Sequence, residues 1–81
     1  MAKPADKDDV KALALSVGKV IARRRKELGL SQEKLAEIVD CHRTYVGITE
    51  RGERNITIFT LKAFATALNC APSDLLKECG L

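Results

Sequence analysis

Ser31-Gln32-Glu33-Lys34-Leu35-Ala36-Glu37-Ile38-Val39-Asp40-Cys41-His42-Arg43-Thr44-Tyr45-Val46-Gly47-Ile48-Thr49-Glu50-Arg51-Gly52 is the stretch that decides the fold. Its apolar spacing predicts two short helices with a turn of three or four residues between them. Ser31 opens the first. Its hydroxyl can accept a backbone N–H of the first turn, and Glu33 there complements the helix dipole. Leu35, Ala36 and Val39 form the buried stripe. Asp40 takes the turn, where a left-handed residue is needed; Gly suits best and Asp is tolerated. His42 or Arg43 opens the next helix, which runs to about Arg51 and is closed by Gly52. Helices joined this tightly cross steeply, and the small Ala36 lies where they come nearest. Cys41 and Val46 anchor the second helix inward. Its opposite face then carries Arg43, Thr44, Gly47 and Ile48, which can reach a major groove while the scaffold stays packed.

Working outward, residues 1–9 are polar and include Pro4, and they read as a flexible tail. Asp8 or Asp9 is placed to cap a helix beginning near Val10. Val10, Leu13, Ala14, Val17, Ile21 and Leu28 follow at helical spacing. Gly18 interrupts this run at a cost of about 1 kcal/mol, and Gly29 ends it as a left-handed cap would. Beyond Gly52 the loop Glu53-Arg54-Asn55-Ile56 leads to Thr57, a candidate N-cap. Ile58, Leu61, Phe64, Ala65 and Leu68 give the fourth helix its apolar face, and Asn69 stops it. Ser73 is expected to cap a short final helix holding Leu75 and Leu76. The fold class is therefore all-α, a bundle of five helices, with residues 10–81 forming one domain.

Composition narrows the function. The chain has 81 residues, a single-domain length, and a net charge of +3. Between Val10 and Lys62 eleven basic residues face six acidic ones, a moderate footprint for nucleic acid. Cys41, Cys70 and Cys79 form no CxxC pair and there is one His, so no metal site is expected. The odd cysteine count, with no secretory h-region at the start, fits a reducing cytoplasm. No apolar run is long enough to span a membrane. Neither a carboxylate pair, a nucleophile–base pair nor a Gly-rich phosphate loop is evident. The sequence argues against an enzyme and calls for no cofactor.

The central segment resembles the helix-turn-helix family of phage lambda-type Cro and repressor proteins. The features that carry the likeness are Arg25, Gly29-Leu30-Ser31-Gln32, Leu35-Ala36 and Glu50-Arg51-Gly52. Within that family, Arg43-Thr44-Tyr45 followed by Glu50-Arg51-Gly52 and Arg54-Asn55 is similar to the controller proteins of restriction–modification systems. The resemblance spans about Val17 to Leu76 and implies a lambda-repressor-like five-helix bundle. It also implies that Arg25 and Glu50 form a partly buried ion pair between the first and third helices. Gln32 and Tyr45 stand at positions where the family touches the DNA backbone.

The residues themselves fit these roles, each beside a plainer one. Arg43, at the start of the third helix, is the best fork for guanine O6 and N7, against a merely solvated Arg. Thr44 suits a base edge, a thymine methyl or a phosphate, against plain surface. The Tyr45 ring can pack on the scaffold and offer its hydroxyl to a phosphate. Gln32 sits at a helix N-terminus, which favours phosphate. Arg54 and Asn55 lie where a DNA strand should pass, though Asn55 can also serve only the turn. His42 reads as an exposed N-cap. The run Arg23, Arg24, Lys26 reads mainly as a solvated face. Four positions depart from the family pattern, the first being Asp40, which replaces the common Gly and strains the turn. Thr49 replaces an apolar residue, and its hydroxyl can bond back to the Tyr45 carbonyl. Ile48 stands where a polar residue is common, so either it meets thymine methyls or the helix is rotated. Gly47 weakens a helix but permits close approach to bases.

Leu75, Leu76, Cys79 and Leu81 exceed what one small core obviously needs. They pack beneath the bundle or form a two-fold interface. The expectation is a homodimer through the fourth and fifth helices, with Leu75 and Leu76 at the interface. The third helices would then lie about 34 Å apart and read an inverted repeat. The function expected is a sequence-specific regulator of transcription that binds double-stranded DNA, of the controller type, with RNA polymerase a further candidate partner. The alternatives are a phage-like repressor of the same fold, or a protein-interaction module of the coactivator or antitoxin kind.

Overall fold

The structure, a computed structural model, describes residues 6–80. Among them the chain forms α1 (Lys7–Glu27), α2 (Gln32–Val39), α3 (Arg43–Glu50), α4 (Ile58–Ala67) and α5 (Pro72–Glu78), and no strand. α2 and α3 pack on each other. α1 lies against α3 and α5, and α4 against α2 and α5.

Local chemistry sets the boundaries. Ser31 Oγ accepts from Lys34 N at 3.0 Å, and Thr57 Oγ1 accepts from Thr60 N at 3.1 Å, as expected of N-caps. Two other ends differ from expectation. α1 starts at Lys7, not near Val10, because Asp6 is the cap and accepts from Asp9 N at 2.9 Å. Asp8 and Asp9 instead sit in the first turn, where the dipole favours acids. The expected tail of residues 1–9 thus gives up Lys7, Asp8 and Asp9 to the helix, and its first five residues lie outside the described ones. α5 is not capped by Ser73. Ala71 is the cap residue, Pro72 takes the first helical position, and Asp74 Oδ2 accepts the Ala71 N–H at 2.9 Å.

One core fills the space between the helices. Ile21, Leu35, Val46, Phe64 and Leu75 are its largest fully buried side chains. Val20, missing from the expected stripe of the first helix, is buried, whereas Leu13 and Leu28 are exposed. Leu75 comes from the last helix yet lies at the centre, so it is core and not an interface residue. Leu76 is partly buried and packs against the core edge. Leu81, grouped with them from sequence, lies outside the described residues. Ile58 was expected on the buried face of α4, but it is 88% exposed and Phe59 beside it 84%. As first and second residues of α4, they lie a turn short of where Leu61 and Phe64 meet the core.

Gly18 has a use that helix propensity alone does not suggest. A Cβ there would lie 2.5 Å from the carbonyl oxygens of Thr49 and Glu50, so α1 touches the end of α3 backbone to backbone. Gly52 serves the same crossing. It has φ +68°, and a Cβ would fall 2.6 Å from Leu15 Cα. Two opposed effects decide the outcome of Gly18→Ala. Alanine gains about 1 kcal/mol of helix propensity, but overpacking against backbone that cannot rotate away costs about 1–3 kcal/mol. We expect a net loss of stability and a lower thermal midpoint. A higher midpoint would show that the crossing can open without cost.

Candidate nucleic-acid interface

The recognition unit begins with the turn between α2 and α3. Asp40 adopts φ 66°, ψ 53°, the left-handed conformation expected of it. The chain reverses there through Cys41 N–H donating to Ala36 O at 2.9 Å. His42 then caps α3, its Nδ1 accepting from Thr44 N at 3.0 Å. Val46 and Thr49 point inward and are buried, which leaves Arg43 and Thr44 exposed and Ile48 half-exposed on the outer side. Thr49 makes the expected back-bond to Tyr45 O, at 2.8 Å. It thereby satisfies a hydroxyl at a buried position where the family resemblance leads one to expect an aliphatic side chain.

Gly47 does not stand open as expected. It is buried, and a Cβ placed on it would lie 3.1 Å from Arg51 Nη1 and 3.8 Å from Gln32 Oε1. The Arg51 guanidinium lies over it, held also by Glu53 at 3.1 Å. Bases could reach the Gly47 backbone only after Arg51 swings away. Arg51 is thus a further cation on this face. Sequence reading assigned it only to the closing Glu50-Arg51-Gly52 motif. The signal was present: a helix-ending Arg lies four residues after a Gly that leaves room for it.

Tyr45 joins the face to the core. Its ring stacks on Phe64 with centroids 6.4 Å apart and planes 22° from parallel, while Arg54 Cζ lies 5.0 Å from the ring centroid. The aromatic ring so orients a cation from the loop after α3. Asn55 is exposed beside Arg54. Arg43 meets Glu33 of α2, Nη1 to Oε1 at 3.1 Å, with both side chains well exposed. Arg23 and Arg24 do not reach this face. Both pair with Glu78 of α5 and tie α1 to the last helix.

Behind the face lies the pair of Arg25 and Glu50. Arg25 Nε donates to Glu50 Oε2 at 2.6 Å and Nη2 to Oε1 at 3.0 Å. The remaining arm, Nη1, donates to Leu30 O at 2.8 Å, and Gln32 Nε2 donates to Glu50 Oε1 at 2.9 Å. The two side chains are 10% and 7% exposed. One ion pair therefore gathers the end of α1, the loop before α2, the start of α2 and the end of α3. Gln32 is turned toward this hub and not straight outward. Its amide carries two hydrogens, so one remains for a ligand. The hydrogen bond from Arg25 to Glu50 raises the guanidinium's proton affinity above its ordinary value, against the opposing effect of burial. A cation so shifted stabilises the fold below its unfolded pKa and loses that only as pH rises through the folded value. Arginine's ordinary pKa is already strongly alkaline, so Arg25 stays charged throughout the neutral range. Burial pushes the thiols of Cys41, Cys70 and Cys79 up, which leaves them protonated and weakly nucleophilic near neutrality.

Removing one partner of such a pair strands a buried charge. Glu50→Ala is expected to cost about 3–5 kcal/mol, a large share of the roughly 5–15 kcal/mol that holds a domain. Replacing both, as Arg25→Met with Glu50→Leu, should cost less than either single change. Urea melts of Arg25→Met, Glu50→Leu and the double variant check this; equal losses in all three would mean that the pair does not act as a unit.

A helix-turn-helix family model matches residues 21–75. The control protein C.SmaI of Serratia marcescens is 56% identical over 52 residues, which cover 64% of this chain and 62% of that protein. The crystal structure of the restriction–modification controller protein C.AhdI from Aeromonas hydrophila superposes with a TM-score of 0.74 at 39% identity, covering 76% of this chain and 94% of that one. The controller protein C.Esp1396I, solved as a tetramer in complex with its natural 35 base-pair operator, gives a TM-score of 0.73 at 34% identity, covering 85% of this chain and 96% of that one. The chain belongs to the helix-turn-helix family, alongside the restriction–modification controller proteins.

Proposed function

We propose that this protein is a sequence-specific regulator of transcription, a restriction–modification controller that binds an inverted-repeat operator on double-stranded DNA as a dimer. The observation that carries it is the exposed Arg43-Thr44 edge of α3, set beside the Tyr45–Arg54 stack on a scaffold held by Arg25 and Glu50. In this reading Arg43 and Thr44 meet base edges and Ile48 meets thymine methyls. Gln32, Tyr45, Arg54 and Asn55 grip the backbone on either side. Arg51 takes the role first given to Gly47. The operator complex of C.Esp1396I supports the reading. RNA polymerase is the candidate partner at the promoter, and such work belongs to the cytoplasm. In the described residues no helix is long and apolar enough to cross a membrane.

The dimer needs a new face, since Leu75 is core. Ile58 and Phe59, 88% and 84% exposed at the start of α4, supply it. Two large apolar side chains left in water at the start of one helix signal a covered surface. Ile58 borders a cleft that includes Val10, Leu13, Ile56 and Leu76, and Phe59 a separate one with Leu28, Leu30 and Ile38, so an interface centred on the start of α4 extends to both sides of it. Phe59→Asp should shift sedimentation toward monomer and leave the helical circular dichroism intact. An unchanged dimer would place the interface elsewhere.

Selection of binders from random duplex DNA tests the function, followed by affinity measured against salt. An enriched inverted repeat is the expected result. Absence of any enrichment would overturn the DNA-reading function and favour the protein-interaction alternative. On the selected site, Arg43→Ala should cost about 1–3 kcal/mol and relax one base pair. Arg54→Ala should weaken selected and random DNA alike and lower the salt slope by about one. Equal losses on both DNAs for Arg43→Ala would refute its base-reading role.

A further inference from the structure

We propose that Glu33 determines specificity by positioning Arg43: its carboxylate steadies the guanidinium for one guanine and withholds it from the phosphates of other sequences. The inference rests on the base-reading role of Arg43 given above.

Arg43 is the first residue of α3, whose first turn holds no acid. A cation there opposes the positive end of the helix dipole, so helix stability does not account for it. The compensating charge comes from another helix. Glu33 lies in the first turn of α2, where Ser31 provides the side-chain cap to Lys34 N. The carboxylate of Glu33 reaches across the turn and accepts from Arg43 Nη1 at 3.1 Å. The side chains are 65% and 70% exposed. An exposed pair of this kind is worth at most about fivefold in an equilibrium constant. It contributes little to the fold, and DNA can compete with it.

That weakness suits a selector. An arginine fork carries five N–H donors. With one arm on Glu33, donors remain for the O6 and N7 edge of a guanine. At the matching base Arg43 can serve both partners, and the charge of Glu33 stays neutralised. On other sequences Arg43 must choose. If it turns to a phosphate, Glu33 is left as a bare carboxylate beside a polyanion. Glu33 therefore lowers affinity for every DNA on which Arg43 is not correctly met.

The test is Glu33→Gln, measured on the selected site and on random duplex across a range of salt. Random DNA should bind more tightly, with a salt slope steeper by about one as the freed arginine takes a phosphate. The ratio of selected to random affinity should fall by about twofold to fivefold. In an Arg43→Ala background the same change should leave that ratio where it was. The thermal midpoint should not move. Tightening of both DNAs by one common factor would overturn the proposal, since the lost charge would then act without regard to sequence. So would a fall in the ratio that persists without Arg43, or a marked drop in the midpoint. If the unmodified protein shows no preference among sequences, the DNA-reading function itself fails and takes this inference with it. A preference that survives Glu33→Gln unchanged removes the inference alone.

Discussion

The buried pair of Arg25 and Glu50 holds the recognition unit in place. A helix of eight residues such as α3 has little stability of its own. Its position depends on what its ends are fastened to. Glu50, its last residue, accepts two bonds from Arg25 and one from Gln32, and Arg25 also holds the Leu30 carbonyl. Four segments thus meet at one ion pair. The geometry is bidentate and the arms are matched, which is the condition for a desolvated pair to offset its own burial. The pair also aims Gln32 and sets how far the start of α2 stands from α3.

Close packing completes what the ion pair begins. α1 can approach the end of α3 only because Gly18 and Gly52 carry no side chain at the crossing. On the other side Val46 is fully buried, and Tyr45 stacks on Phe64 while holding Arg54. The inward side of α3 is thus fully occupied. What faces water is a short edge of Arg43, Thr44 and Ile48, flanked by Arg51 and Arg54. The charges along that edge are mixed: Glu33 meets Arg43, and Glu53 meets Arg51.

Much of this was legible in the chain. Ser31 and Thr57 cap because their hydroxyls can reach back to N–H groups three residues on, a purely local matter. Gly29, Asp40, Gly52 and Asn69 all take positive φ at the reversals assigned to them, because few residues tolerate that conformation. The spacing of Val17 and Ile21, and of Leu61, Phe64, Ala65 and Leu68, marked buried faces correctly. Less was legible at helix ends. Asp6, Asp8 and Asp9 are near-equivalent caps by type, and only the hydrogen-bonding register chose among them. Ser73 yielded to Ala71 because Asp74 and Pro72 together favour a start at that point.

The sequence by itself determined the five helices, the turn at Asp40 and the inventory of recognition groups, since caps, left-handed residues and apolar periods act over a few neighbouring positions. The partnership of Arg25 with Glu50 was also legible, by family likeness. Tertiary structure alone decided which apolar residues are core. Leu75 lies at the centre and Ile58 in solvent because burial depends on where separate helices meet, not on any period within one. It alone showed that Gly18 makes room for backbone carbonyls, that Arg51 covers Gly47, and that Glu33 reaches Arg43. Each of these joins residues of different segments, and contacts between segments leave no mark in local spacing.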